Sequence, residues 1–248
     1  MNIGILVVAY NAESTIIQTL SRIPKSFSDR ITSILVSDDS SIDSTFRAVN
    51  DFASTSDTSI TSVYQVRNLG YGGNQKFGYA WALSNNWDLV VLLHADGQYA
   101  PEFLEKIVEP IVLGDADVVL GSRMINKRAA LEGGMPYYKW IGNQILTKVQ
   151  NMLTGQSFAE WHTGYRAYRV STLDNIPFKQ LNNGFRFDTQ IILELIKIKA
   201  RFKEIPIPTF YGDEISHVNG LKYAREIIWD TIRHRVKNGV SKESNIDK

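Results

Sequence analysis

Asp88-Leu89-Val90-Val91-Leu92-Leu93-His94-Ala95-Asp96-Gly97-Gln98 joins five consecutive aliphatic residues directly to a polar cluster. The apolar run is too short for a helix and is bounded by polar residues, which predicts a central strand of a parallel sheet covered on both faces. The polar residues then stand at the carboxyl end of that strand, the edge at which open α/β sheets bind ligands. His94-Ala95-Asp96-Gly97-Gln98 is therefore the first candidate site, set against the plainer reading of a solvated turn.

Outward from this stretch, buried-type runs at residues 3–9, 31–37, 60–66 and 117–120 alternate with segments of helical period. That alternation predicts a right-handed, mostly parallel, doubly wound α/β sheet sandwiched by helices. Three more strand ends carry chemistry. Ala9-Tyr10-Asn11-Ala12-Glu13 follows the first strand, with a helix expected from residue 11 to 22. Asp38-Asp39-Ser40-Ser41-Ile42-Asp43-Ser44-Thr45 follows the second. One carboxylate there can cap a helix, but several at a strand end suit a ribose, a base or a metal. Asn68-Leu69-Gly70-Tyr71-Gly72-Gly73-Asn74 follows the third strand and precedes a helix expected from residue 75. Its glycines allow close backbone approach and would aim free amides at an anion. No Gly-Lys-Ser/Thr follows, so it is not a Walker loop.

The chain has 248 residues, with 27 Lys and Arg against 26 Asp and Glu, a net charge of +1. Nothing in that balance draws nucleic acid, and any anion site must be local. The absence of cysteine excludes disulfides and thiolate metal sites and fits a cytoplasmic protein, leaving oxygen and imidazole as metal ligands. No linker divides the chain, which suits a single large domain. The start lacks a basic leader region and reads as a strand rather than a signal peptide. No stretch approaches the roughly 20 apolar residues that span a bilayer, so the expectation is a protein that is soluble or peripheral at a membrane.

In the second half, residues 126–135, with Lys127 and Arg128, read as a mobile loop of the kind that closes over ligands. Residues 136–153 read as an apolar helix whose Tyr137, Tyr138, Lys139 and Lys148 suit the sheet, a partner or a membrane interface. Pro206 marks residues 203–207 as an edge strand. Residues 221–236 read as a basic amphipathic helix, and 237–248 as a frayed polar tail.

Five segments, the loops at 9–13, 38–45, 68–73 and 94–98 together with Gly121-Ser122-Arg123, resemble in order and spacing the family 2 glycosyltransferases of the GT-A fold. The branch they are most similar to is the dolichol-phosphate mannose and polyprenyl-phosphate sugar synthases. The resemblance covers roughly residues 1–215, and five ordered motifs are far more specific than any one alone. It implies a single nucleotide-sugar-binding GT-A domain over residues 1–236, with 1–123 as the nucleotide-sugar half and 124–236 as the acceptor half. By this resemblance Tyr10 and Glu13 lie near the base, Asp38 and Asp39 at the base or ribose, and Ala9, Gly70, Gly72, Gly73, His94 and Ala95 along the pocket of a nucleotide-diphosphate sugar. Asp96, with Gln98, would hold Mg²⁺ or Mn²⁺, and His217 could add a ligand from the far end of the chain. His94 stands where the family carries the first aspartate of Asp-x-Asp.

The reaction implied is transfer of a sugar from the nucleotide-diphosphate sugar with inversion, and the catalytic set expected is Asp96, Arg123 and Asp188. A phosphate acceptor is already anionic and needs cations rather than a base. Lys127, Arg128, His162 and Arg166 as acceptor contacts, with Arg123 and Arg169, favour a polyprenyl phosphate. A hydroxyl acceptor on a glycan or small molecule would instead need a base, for which Glu160, His162 and Asp188 lie in suitable regions. The Gln-x-x-Arg-Trp signature of processive synthases is absent. From another class, a catalytically silent nucleotide-sugar-binding protein is the alternative. A Rossmann module is disfavoured because residues 9–13 contain no glycine.

Overall fold

Strand β1 (Ile3–Ala9), β2 (Ile31–Asp38), β3 (Ile60–Tyr64), β4 (Leu89–His94), β5 (Val118–Ser122), β6 (Arg166–Arg169) and β7 (Phe202–Pro206) form one sheet in the order β3-β2-β1-β4-β6-β5-β7. The computed structural model describes residues 1–210 and 220–243. The aliphatic run of β4 splits by alternation. Leu89, Val91 and Leu93 enter the core on one face, while Val90 and Leu92 enter the core on the other, all five without solvent exposure. Full burial of such a side chain stabilises by about 1.5–3 kcal/mol, which explains why an unbroken apolar run, not an alternating one, marks this strand.

Helices α1 (Ile16–Ser21), α2 (Lys25–Ser28), α3 (Thr45–Ala53) and α5 (Leu104–Val112) cover the first face through Ile16, Leu20, Phe27, Val49, Leu104 and Ile107. Helices α4 (Tyr71–Ser84), α8 (Val170–Asp174) and α9 (Phe187–Lys197) cover the second through Tyr79, Ala82, Leu173, Ile191 and Leu195. Beyond these lie α6 (Lys127–Glu132), α7 (Tyr137–Thr154) and α10 (Gly220–Glu243), with α10 packed against α7 and α9. β1 pairs in parallel with both β2 and β4. The chain lays β2 and then β3 on one side of β1 and returns to place β4 on the other, so the topological switch point, where such sheets bind ligands, lies between β1 and β4.

The mostly parallel sheet agrees with the sequence pattern, and several boundaries do not. β6, antiparallel to β4 and β5, escapes a reading by periodicity because its four residues include two arginines. It matters because it brings residues 160–165 to the same edge as His94. Helix α1 begins at Ile16, not near residue 11, since the amides of Asn11 and Ala12 donate to Ser41 and Thr45 instead of opening a helix. Residues 127–132 are helical rather than a loop: Asn126 caps the segment through Ala129 N–H, and Lys-Arg-Ala-Ala-Leu are good helix formers. Helix α4 starts at Tyr71, so Gly72 and Gly73 lie in its first turn. Helix α10 continues to Glu243, past the point where the sequence predicts a frayed tail.

Candidate active site

The carboxyl ends of β2, β1 and β4 lie abreast. Asp39 N–H donates to Ala9 O at 2.8 Å and Ala95 N–H to Val8 O at 3.1 Å, which sets Tyr10, Asp39 and Asp96 on neighbouring strand ends. The first two loops are laced together. Asn11 N–H donates to Ser41 Oγ (2.8 Å), Ile42 N–H to Asn11 Oδ1 (3.0 Å) and Ser44 N–H to Glu13 Oε2 (3.1 Å). Asn11 has a φ of 49°, a left-handed conformation asparagine tolerates better than most residues. Tyr10 remains 50% exposed at this edge.

The paired aspartates divide their work. Both oxygens of Asp39 are taken by the glycine segment, Oδ1 by Leu69 N–H (2.6 Å) and Oδ2 by Gly70 N–H (3.0 Å). Burial raises the Asp39 carboxyl above its ordinary value, with those two amides opposing. Asp38 Oδ1 accepts from Ser41 N–H at 2.7 Å, while Oδ2 is buried without a partner among the described residues. Burial raises this carboxyl too, against the Ser41 hydrogen bonds.

The glycine segment does not present the free amides expected from the sequence. Leu69 and Gly70 donate to Asp39, and Gly72 and Gly73 both donate to Asn183 O, at 2.7 and 3.0 Å. What requires glycine at 72 is contact with the segment before α9. A Cβ there would lie 2.4 Å from Phe187 Cβ and 2.7 Å from Asn182 O. The segment is thus a packed junction rather than an anion cradle, and it fixes Tyr71.

Tyr71 organises the centre of the site. Its hydroxyl donates to Asp188 Oδ2 at 2.9 Å and lies 3.2 Å from His94 Nε2. A phenol has one proton, and the carboxylate can only accept it. The His94 contact therefore needs the hydrogen on Nε2, which leaves the lone pair on Nδ1. Burial holds His94 below its ordinary pKa despite the pull of Asp96 and Asp188, so the ring is neutral near pH 7. Tyr99 packs edge-on against the same ring, and its hydroxyl accepts the N–H of Gly164 at 2.7 Å. Beside it, Asp96 Oδ1 accepts from Gln98 N–H at 3.0 Å, closing a tight turn. No group of three or more His, Asp or Glu among the described residues forms a metal cage. Asp96 and Gln98 could supply only part of a coordination sphere, as suits an ion that takes its other ligands from substrate phosphates and water.

The acceptor-side residues are placed very differently from one another. Arg123 sits at the carboxyl end of β5, largely buried, and Glu160, with no exposure, accepts from its backbone N–H (2.7 Å), its Nε (3.0 Å) and its Nη2. Asn143 Nδ2 adds a fourth bond to Glu160 at 2.9 Å. Burial alone would raise the Glu160 carboxyl, but Arg123 and these hydrogen bonds outweigh it and hold it below its ordinary value. Arg166 is not an acceptor-facing cation. It is fully buried, donates to Thr163 O (2.7 Å) and Asp188 O (2.9 Å), and pairs with Asp188 Oδ1 at 3.4 Å. Arg169 pairs with Asp117 at 3.5 Å, and its position opposite Leu89 puts it at the other edge of the sheet. The antiparallel run of β6 explains this, since it carries residue 166 and residue 169 to opposite ends.

Asp188 is correspondingly occupied, by Arg166, Tyr71 and Gln75 Nε2 (3.2 Å). His162 Nδ1 meets Tyr223 OH at 3.1 Å, and burial pushes its pKa down to about 4. Lys127 and Arg128 are exposed on α6, with Arg128 paired to Glu132. His217 lies outside the described residues. Tyr71, Gln75 and Tyr99 were missed by sequence reasoning, and only the position of Tyr71 between two glycines hinted at a role.

A parallel sheet with carboxylates at its switch point and an Asp-containing turn after the central strand defines a nucleotide-sugar transferase of the GT-A class. The chain belongs to glycosyl transferase family 2, whose model matches residues 4–176. It is 26% identical to the undecaprenyl-phosphate mannosyltransferase of Micrococcus luteus over 95% of this chain and 99% of that protein. It is also 26% identical to the UDP-N-acetylglucosamine–dolichyl-phosphate N-acetylglucosaminyltransferase of Methanococcus voltae, over 85% of this chain and 86% of that one. Among solved structures, glucosyl-3-phosphoglycerate synthase from Mycobacterium tuberculosis, in complex with Mg²⁺ and uridine diphosphate, matches with a TM-score of 0.68 and 16% identity, covering 94% of this chain and 79% of that one. That likeness is one of fold. The protein is a glycosyltransferase.

Proposed function

We propose that this enzyme transfers a sugar from a nucleotide-diphosphate sugar to a polyprenyl phosphate, with inversion at the anomeric carbon. The observation that carries the acceptor assignment is the state of the possible bases. Glu160 is locked to Arg123 and Asn143, Asp188 to Arg166, Tyr71 and Gln75, and His162 is a weakly basic ring with a pKa of about 4. A hydroxyl acceptor must lose a proton as it attacks, whereas a phosphate oxygen attacks without one. One bond forms, from that oxygen to the anomeric carbon. The bond from that carbon to the diphosphate breaks, and the nucleoside diphosphate leaves with its electron pair. The relatives named for undecaprenyl-phosphate and dolichyl-phosphate chemistry support the same reading.

Tyr10 and Glu13 would receive the base and ribose at the open edge of β1 and β2, with Asp38 buried behind them, while Asp39 keeps the glycine segment in place. Asp96 and Gln98 would hold Mg²⁺ or Mn²⁺, which supplies positive charge against the developing diphosphate charge. His94, neutral and fixed by Tyr71, turns the lone pair of Nδ1 away from that hydrogen bond. Arg123, oriented by Glu160, adds fixed positive charge beside the reacting centre. Lys127 and Arg128 on α6 are the exposed cations that could meet an acceptor phosphate.

The test compares polyprenyl phosphate with a free polyprenol and simple glycans across pH. Transfer to the phosphate without an essential base near neutrality supports the reading. Transfer to a hydroxyl alone, with a basic group required in the pH profile, overturns it. Asp96→Ala should abolish transfer in either case while leaving the fold intact, and near-normal turnover would sink the role of Asp96.

A further inference from the structure

Helix α7 is amphipathic in the wrong sense for a protein surface. A surface helix normally turns its apolar stripe inward. Here Asn143, Thr147 and Gln150 are buried, while Tyr138 (72% exposed), Ile141 (49%), Ile145 (58%) and Met152 (68%) face outward. The outward set, with exposed Lys148, recurs at alternating intervals of three and four, which is one continuous stripe along the helix. The buried polar face is not misplaced. Asn143 donates to Glu160, Thr147 Oγ1 to Asn143 Oδ1 at 3.2 Å, and Gln150 Nε2 to Thr231 Oγ1 at 3.4 Å. These bonds fix the rotation of α7 and therefore fix the apolar stripe outside.

Helix α10, packed against α7, repeats the inversion in part, burying two polar residues beside Ile227. Asp230 and Thr231 are buried, with Asp230 paired to Arg186 at 2.6 Å, while Trp229 (52% exposed), Ile232 (37%) and Val236 (59%) face out. Arg235 Nη1 donates to Met152 O at 3.1 Å, which ties the two helices together at the end of α7. Two packed helices that each expose an apolar stripe mark a contact site rather than ordinary surface.

Charge says what the contact is. Residues 137–154 and 220–237 hold seven Lys and Arg against two Asp and Glu, a local excess of five positive charges. The whole chain has a net charge of +1, so the remainder stands at −4. Aromatic and aliphatic side chains among Lys and Arg, with Arg233 over the Trp229 ring at 5.0 Å, are the composition of a surface that lies in the headgroup region of an anionic bilayer. A second copy of the chain would bring two such positive faces together. Among the described residues no helix is long and apolar enough to cross a membrane, so the contact is one of lying on the bilayer.

We propose that the outward faces of α7 and α10 form a docking surface for an anionic lipid bilayer. This stands independently of the acceptor, because it rests on residues outside the catalytic edge. The experiment is co-sedimentation of the full chain with vesicles of phosphatidylcholine alone or with 30% phosphatidylglycerol, with no polyprenyl phosphate or sugar donor present. The expected result is at least tenfold stronger partitioning to the anionic vesicles, reduced at least tenfold by Ile145→Glu or Trp229→Glu and unchanged by Val66→Glu, an exposed control on another face. Circular dichroism and sedimentation velocity on each variant confirm folding. Equal binding to both vesicles, no binding, or insensitivity to Ile145→Glu overturns the proposal. So does a wild-type dimer that Ile145→Glu splits without changing vesicle binding, which would assign the face to a second copy. Vesicle binding that persists in an enzyme inactive on polyprenyl phosphate would refute the acceptor reading and leave this one standing.

Discussion

Replacing Glu160 by alanine removes a fully buried carboxylate that accepts three bonds from Arg123 and one from Asn143. The guanidinium left behind is 10% exposed and loses its carboxylate partner, while its bond to His162 O at 2.9 Å remains. Breaking a buried ion pair from one side costs about 3–5 kcal/mol, because the surviving charge loses its compensating carboxylate in a site largely closed to water. For a chain of this size that corresponds to a fall in Tm of roughly 6–20 °C. Urea unfolding followed by circular dichroism measures the loss. Arg123→Ala should also destabilise, and the double variant should be less unstable than the two single losses added, by about 1–3 kcal/mol of coupling. The Glu160 carboxyl is depressed in the folded state, so its contribution is present above the ordinary carboxylate range, about 4.3, and is lost as pH falls through the lower folded value. The stability gap between wild type and Glu160→Gln should therefore narrow only in acid. Additive single losses, or a Glu160→Ala cost below about 1 kcal/mol, would refute the assignment of Glu160 as the group that holds Arg123.

Other outcomes follow from the same geometry. Asp39→Ala should lower stability by about 2–5 kcal/mol, since two backbone amides lose a charged acceptor, and nucleotide affinity should fall with it; unchanged stability in a calorimetric scan would contradict the loop-holding role. Gly72→Ala should destabilise by about 1–3 kcal/mol through overpacking against Phe187, and a neutral effect on urea midpoint would mean the junction is loose. Tyr71→Phe removes the hydroxyl shared by Asp188 and His94, and should lower kcat about tenfold or more with little change in far-ultraviolet circular dichroism; full activity would show that the link is not needed. Asp117, held down to about 2 by Arg201 hydrogen bonding against partial desolvation, stabilises the fold above its ordinary value of 3.8 and stops doing so as pH falls through about 2. Asp117→Asn should therefore flatten the acid limb of the stability profile, and an identical limb would exclude this pair as its source.

Much of the candidate site's edge was legible because it depends on short-range pattern. The run 89–93 predicts a buried strand from its length and composition, and a buried parallel strand must end at the ligand edge of its sheet. His94, Asp96, Asp39 and Tyr10 inherit their placement from that rule. Arg166 and Arg169 show where such reasoning stops. They are two arginines in one short segment, and nothing local says that one is buried under Asp188 while the other emerges at the opposite edge. The antiparallel direction of β6 decides it, and that direction is set by partners on β4 and β5 far away in sequence.

The alternation of strands and helices, the mostly parallel sheet and the family of the motifs could be read directly from the chain, since each is encoded within short segments. Which charges are available depended on long-range packing. That packing assigned Asp39 to the glycine segment, Glu160 to Arg123 and Asp188 to Arg166 and Tyr71, and it turned the apolar stripe of α7 outward. These are contacts between residues distant along the chain, and whether a carboxylate is a base, a ligand or a buried brace depends on the neighbour that folding brings to it.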